Sequence, residues 1–169
     1  MKLKRLHPDD IDILFAFEQA NKDYFASIGL PRSQTYYDFS NFCRLVHNLL
    51  SCQEQDTDYF YLIFNDSGHL VGRINLTNVV RGPLQKAELG YRIGEGDQGN
   101  GYASKAVETL LLLAKDQLHL HRIEAGTSPE NYASQKVLEK NGFRHAGTYK
   151  QYQKSGDHWL DSLLFERIL

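Results

Sequence analysis

Residues 87–104 run from Ala87-Glu88-Leu89-Gly90-Tyr91-Arg92-Ile93 through a glycine-rich turn into Tyr102-Ala103-Ser104, the head of a long stretch with helical apolar spacing. A strand, a turn and a helix start are therefore contiguous, which constrains the fold more than any other part of the chain. Gly96, Gly99 and Gly101 crowd the turn, so its backbone N–H groups can approach a ligand with no Cβ in the way. The helix that follows adds the positive end of its dipole. Such a turn suits an anion, a pyrophosphate above all.

The flanking pattern sets the topology. Lys2 to Leu6 alternates as a short strand, Pro8-Asp9-Asp10 opens a helix with an apolar stripe at Ile11, Leu14, Phe15 and Phe17, and that helix ends before Gly29-Leu30-Pro31. Thr35 with Asp38 marks a second helix start, followed by Phe39, Phe42, Leu45, Val46, Leu49 and Leu50 at helical spacing. Tyr59 to Phe64 and His69 to Val80 read as a hairpin around Asn65-Asp66-Ser67-Gly68, and Gln85 to Ile93 completes a meander. Tyr102 to Leu118 is the longest clean helix, apolar at Ala106, Val107, Leu110, Leu111, Leu113 and Ala114. The strand Arg122 to Thr127 then makes strand, helix, strand, which requires a right-handed parallel crossover. Pro129 to Lys140 is a further helix closed by Asn141-Gly142, and Phe143 to Gln153 pairs with Trp159 to Ile168 around Ser155-Gly156. The expectation is an α/β (α+β) fold with a mixed, mostly antiparallel sheet.

At 169 residues with 41% apolar and 12% aromatic residues, the chain fits a single domain, 1–169. A formal charge of −2 without long like-charge runs argues against nucleic acid as a partner. Leu110 to Ala114, the most apolar run, is far short of the roughly 20 residues that cross a bilayer, and Pro8 with two aspartates interrupts any signal-like start. A cytoplasmic protein, monomer or homodimer, with no membrane partner is expected. Cys43 and Cys52 lack a CxxC spacing and read as reduced thiols, and His119 with His121 lacks ligands at metal spacing, so no metal is expected.

Gly94-Glu95-Gly96-Asp97-Gln98-Gly99 spells G-x-G-x-x-G literally, the dinucleotide fingerprint. That fingerprint belongs to the first βα turn of a doubly wound fold, whereas antiparallel strands precede it here, and Glu95 and Asp97 would set negative charge beside a pyrophosphate. The frame that fits begins at Gln98: Gln98-x-x-Gly101-x-Ala103. It resembles the pyrophosphate loop of the GNAT superfamily of N-acetyltransferases. A second string, Asn131-Tyr132-Ala133-Ser134-Gln135-Lys136-Val137-Leu138-Glu139-Lys140-Asn141-Gly142-Phe143, resembles the N-x-x-S…K-x-G-F signature of that superfamily's RimJ/RimL-type, ribosomal-protein alanine acetyltransferase branch.

The resemblance implies a GNAT acyl-CoA N-acyltransferase fold, with the sheet splayed at its centre between the strand ending at Ile93 and the strand around Ile123, flanked by helices, and with acetyl-CoA as cosubstrate in the opening. The pantetheine amides would pair there as a pseudo-strand. The resemblance also implies phosphate contacts from Gly99, Asn100, Gly101, Tyr102, Ala103 and Ser104 with Gln98 lining the turn, and an oxyanion contact from the backbone between Tyr91 and Ile93.

Acetyl transfer to an amine needs a neutral nucleophile. An α-amino group with a pKa near 8 is roughly one-tenth neutral at pH 7, a lysine less than about one part in a thousand, so a protein N-terminus asks least of its base. Glu88 is the candidate base through water, against the plainer reading of an exposed strand glutamate. The branch resemblance would put a glutamate where Gln153 stands, which removes one possible base. Many relatives carry a tyrosine acid where this chain has Leu138, leaving Ser134 as the hydroxyl able to reach the CoA sulfur. Asn131 is suited to grip a pantetheine amide, or simply to cap a helix. Trp159 either borders the acceptor or sits in the core. Three functions stay open: N-acetylation of a protein N-terminal amine, acetylation of a small amine such as a polyamine, amino sugar or antibiotic, and non-catalytic acyl-CoA binding.

Overall fold

A computed structural model describes residues 1–169. Its elements are β1 (Lys2–Arg5), α1 (Ile11–Ala20), α2 (Lys22–Ser27), α3 (Phe39–Glu54), β2 (Tyr59–Phe64), β3 (Leu70–Val80), β4 (Lys86–Ile93), α4 (Tyr102–Asp116), β5 (Arg122–Thr127), α5 (Tyr132–Lys140), β6 (Arg144–Ser155) and β7 (His158–Ile168). The seven strands are hydrogen-bonded in the order β1-β2-β3-β4-β5-β7-β6. No helix is long and apolar enough to cross a membrane. The chain divides into two compact units, Met1–Asn75 with Tyr91–Tyr102, and Leu76–Gly90 with Ala103–Leu169.

In the first unit, β1 pairs antiparallel with β2 from Lys2↔Phe64 to Arg5↔Tyr61. Leu6, Leu14, Phe17, Phe25, Phe42 and Val46 form its apolar core together with Leu62 and Leu70. Each such side chain, fully buried, contributes about 1.5–3 kcal/mol. The helix expected from Pro8 to Gly29 is broken at Asn21, whose Nδ2 donates to the Phe17 carbonyl oxygen at 2.9 Å and so competes with the helical ladder. Asp38, not Thr35, caps α3, accepting from Asn41 N at 2.9 Å, while residues Gln34–Tyr37 form a single 3₁₀ turn before it.

Glu18 follows Leu14 by one helical turn and is fully buried within this unit. Two guanidiniums meet it: Arg73 Nε lies 2.6 Å from Glu18 Oε1, and Arg92 Nη1 lies 3.4 Å from Oε2. The Arg92 guanidinium also stacks over the Phe25 ring, 4.7 Å from its centroid. Burial, reinforced by the neighbouring Arg73 charge and opposed by Glu18, brings the Arg92 pKa down to about 10.

In the second unit, β4 and β5 run parallel, as the crossover through α4 demands, with the pairs Lys86↔Arg122, Ala87↔Ile123 and Glu88↔Glu124. The ladder ends there. β5 continues through Ala125, Gly126 and Thr127, paired on its other side with Phe165, Leu164 and Leu163 of β7. Ala106, Val107, Leu110 and Ala114 of α4 are buried, matching the expected stripe. Helix α5 starts at Tyr132 rather than Pro129, and the chain leaves it through Gly142 at φ +74. A Cβ on Gly142 would also collide with the Arg167 guanidinium, which donates to the Gly142 carbonyl at 3.1 Å. At the sheet margin, β6 pairs with β7 but slips register between Tyr149 and Gln153, where Gln151 takes φ +50 and donates its N–H to Asp161 Oδ1 at 2.9 Å.

Because removing one partner of a buried ion cluster strands the rest, Glu18→Ala should cost about 3–5 kcal/mol of stability. Urea unfolding followed by tyrosine and tryptophan fluorescence checks this, and an unchanged midpoint would refute it.

Candidate functional site

The glycine turn is built from its own side chains outward. Gly94 opens it: a Cβ there would come within 3.1 Å of Asn21 Oδ1 and of Phe17 Cε2, so a larger residue would press those side chains aside where the chain leaves β4 beside α1. Asn21 then accepts from Glu95 N at 2.8 Å, fixing the first residue of the 3₁₀ turn Glu95–Asp97. Gln98 turns back, donating from Nε2 to the Ile93 carbonyl at 2.8 Å, and Asn100 Nδ2 donates to the Asp97 and Gln98 carbonyls at 3.2 Å each. Side-chain amides thus occupy the turn's carbonyl oxygens. Gly99 and Gly101 adopt φ +75 and +76, and nothing lies within 4 Å of where a Cβ would stand. Glycine is needed at these two for conformation, whereas Gly96 is not left-handed and has open space around it.

α4 begins at Tyr102, directly after Gly101, and the first-turn N–H groups of a helix have no intrahelical acceptor. Gly99, Asn100 and Gly101 are exposed, and Tyr102, Ala103 and Ser104 are half-buried. Tyr91 is half-buried and Ile93 buried at the end of β4.

In the second motif Asn131 caps α5, its Oδ1 accepting from Ser134 N at 3.0 Å. The oxygen of that amide is therefore engaged in the cap, leaving Nδ2 as the group suited to a ligand carbonyl. Ser134 is half-buried in the first turn of α5, and Leu138, in the slot where relatives carry tyrosine, is buried. Asn141, expected from the sequence only as part of the pair closing α5, also links the two motifs. Asn141 Nδ2 donates to the Val137 carbonyl at 2.8 Å and to Ser104 Oγ at 3.3 Å, so the second motif touches the head of α4. Since Ser104 Oγ accepts from Asn141, its own proton is left for a different acceptor.

Glu88 is exposed on β4, at the last pair of the parallel ladder, in register with Glu124. Glu124 belongs to a charged chain that spans four strands. Lys86 Nζ reaches Glu124 Oε2 at 2.8 Å, and Arg122 Nε reaches Oε1 at 2.7 Å. Arg122 also pairs with Glu166, to which Arg144 Nε donates at 2.7 Å. Burial alone would raise the Glu124 pKa, but hydrogen bonds from Lys86 and Arg122 outweigh it and hold the carboxyl below the ordinary glutamate value. The Arg144 hydrogen bond chiefly does the same for Glu166. Gln153 is exposed on β6, and Trp159 is 56% exposed on β7, which overturns a core position for that tryptophan.

The comparisons with known proteins agree with this architecture. The family model of the acetyltransferase (GNAT) domain matches residues 1–144. The chain is 31% identical over 160 residues to the probable N-acetyltransferase YjcK of Bacillus subtilis (strain 168), covering 94% of this chain and 88% of that protein. It is 35% identical over 106 residues to the [ribosomal protein uS5]-alanine N-acetyltransferase of Escherichia coli (strain K12), 63% of this chain and 55% of that protein. The solved structure of Mycobacterium smegmatis RimJ in complex with CoA-disulfide superposes with a TM-score of 0.88 at 25% identity, covering 98% of this chain and 80% of that one. The matched region takes in the meander, the glycine turn and the parallel crossover, so the class is that of an acyl-transferring enzyme. The chain belongs to the GNAT acetyltransferase family and is an N-acetyltransferase.

Two measurements test the local physics. Gly101→Ala forces a left-handed alanine with no steric relief to offset it, so stability should fall by about 1–2 kcal/mol, read as a lowered melting temperature. Glu124 titrates below its unfolded value, so its contribution is complete above the ordinary glutamate pKa of 4.5 and is lost as the pH falls through the folded value. Glu124→Gln should therefore flatten the acid limb of a stability-against-pH curve; a limb as steep as in the unaltered protein would count against the charged chain as its origin.

Proposed function

We infer that the protein, read as one acetyltransferase domain over residues 1–169, transfers an acetyl group from acetyl-CoA directly to a protein N-terminal α-amino group. The observation that carries the acceptor class is the 35% identity over 106 residues with the uS5-alanine acetyltransferase. The donor is supported by the glycine turn and by the relative solved with CoA-disulfide. Backbone N–H groups from Gly99 to Ser104 hold the pyrophosphate, with Gln98 and Asn100 keeping the turn's carbonyls turned away from it. Asn131 Nδ2 takes a pantetheine carbonyl. The β5 edge beyond Glu124 offers the extended ligand backbone groups that β4 does not pair.

In the reaction the amine nitrogen attacks the thioester carbonyl, the C–N bond forms and the C–S bond breaks. The oxyanion is held by backbone N–H between Tyr91 and Ile93. Glu88 takes the proton of the incoming ammonium through water. The Ser134 hydroxyl hydrogen-bonds the departing CoA sulfur. Spermidine N-acetyltransferase of Vibrio cholerae shares the fold at a TM-score of 0.80 and 16% identity, which keeps a small polyamine as the acceptor to be compared.

Acetyl-CoA consumption measured against N-terminal peptides, polyamines and amino sugars should be fastest with a peptide; CoA binding without turnover on any amine would leave a binding module instead. Ser134→Ala should lower kcat by about 100-fold with CoA affinity nearly unchanged, and lost affinity at full turnover would remove the acid role. Glu88→Gln should abolish the acid limb of the pH–rate profile, and an intact profile would exclude it as the base.

A further inference from the structure

The buried cluster in the first unit carries more positive charge than its carboxylate balances. Glu18 is the one acid between Arg73 and Arg92, whose side chains are 15% and 8% exposed. Arg92 gives Nη1 to Glu18 at 3.4 Å, and Arg73 shares that same carboxylate. Beside them, Arg32 lies over the Tyr36 ring at 5.2 Å with no carboxylate partner, and Lys22 lies over Tyr37 at 4.9 Å while donating to Gln34 Oε1 at 3.2 Å. The carboxylates acting on these tyrosines are Glu18, already shared, and Asp23 near Tyr37. A desolvated guanidinium without a matching anion is costly, and Arg is suited to a carboxylate through its planar fork.

Arg92 also sits between Tyr91 and Ile93 in β4, the stretch read above as flanking the reacting carbonyl. We propose that Arg92 and Arg32, backed by Arg73, form an acceptor subsite for a carboxylate, so that the amine acetylated by this enzyme carries an acidic group a few bonds from its nitrogen. Phe25, fully buried, backs the Arg92 guanidinium, and Tyr36 and Tyr37, in edge contact at 5.1 Å, lie beneath Arg32 and Lys22. This deepens the amine-acetylating reading and rests on it. A polycation is disfavoured by the same charges, which separates this chain from a spermidine-acetylating enzyme.

The test compares twin peptides Ala-Glu and Ala-Gln of otherwise identical sequence, free glutamate with its diamide, and spermidine. The acidic member of each pair should show a kcat/KM about 10- to 100-fold above its amide, the range of one or two hydrogen bonds to a charged group, and mainly through KM. The peptide and free-glutamate arms separate an acidic side chain from a free amino acid as the source of the carboxylate. In Arg32→Gln, an exposed change, the acid-to-amide ratio should fall several-fold; in Arg92→Lys, which keeps a charge on Glu18 and removes the fork, it should fall toward one. Direct titration of the N-acetylated acidic peptide and its amide twin, followed by tyrosine fluorescence, reads the same preference without turnover. Equal affinity for both twins, a preference for spermidine, or a ratio untouched in both variants overturns the proposal. CoA binding measured alongside reports separately on the donor site, so a protein that binds no CoA would fail as an acetyltransferase whatever the carboxylate result.

Discussion

The parallel pairing of β4 with β5 is confined to Lys86, Ala87 and Glu88 against Arg122, Ile123 and Glu124, and the rest of the reactive architecture hangs on its brevity. A parallel step obliges the chain to cross over through a helix, so α4 must start from the end of β4 and a turn must carry the chain there. Had the ladder continued to Thr127, the β5 backbone groups facing β4 would be consumed by it; as it is, β4 pairs with none of them beyond Glu124. The charged chain from Lys86 through Glu124, Arg122 and Glu166 to Arg144 lies across the strands where pairing is complete and ties them together.

Local signals carried the strand and helix order. β2 and β5 fall on the residues expected from their branched and aromatic runs, and α4 buries the stripe its spacing foretells. What failed were boundaries decided by single side chains. Asn21 breaks a helix whose apolar period runs on unbroken, because its amide competes for the Phe17 carbonyl and then serves Glu95. Asp38 outcompetes Thr35 as a cap because the preceding residues close a 3₁₀ turn first. Asn131 shortens α5 from the front for the same kind of reason.

The site was legible to the extent that it is contiguous. The glycine turn and the Asn131 to Phe143 string each announce themselves within a few residues, whereas Asn141 with Ser104, and Glu18 with Arg73 and Arg92, unite positions far apart in the chain. One signal for the second cluster was available. Glu18 interrupts the apolar face of α1 one turn after Leu14, and a glutamate on a buried face requires a cation from elsewhere. Which cation it finds depends on strand register, and no local pattern encodes that.

β6 ends the strand order, so one of its margins faces no other strand, and its residues are almost wholly accessible. A flat margin of that length is a template on which a neighbouring polypeptide can build. The slip at Tyr149 to Gln153 breaks that template in the middle: the Gln151 amide is turned inward to Asp161, and Lys150 is anchored on the same carboxylate at 2.7 Å. Together with the slip between His145 and Gly147, this kink leaves the β6 margin as several short stretches rather than one continuous template.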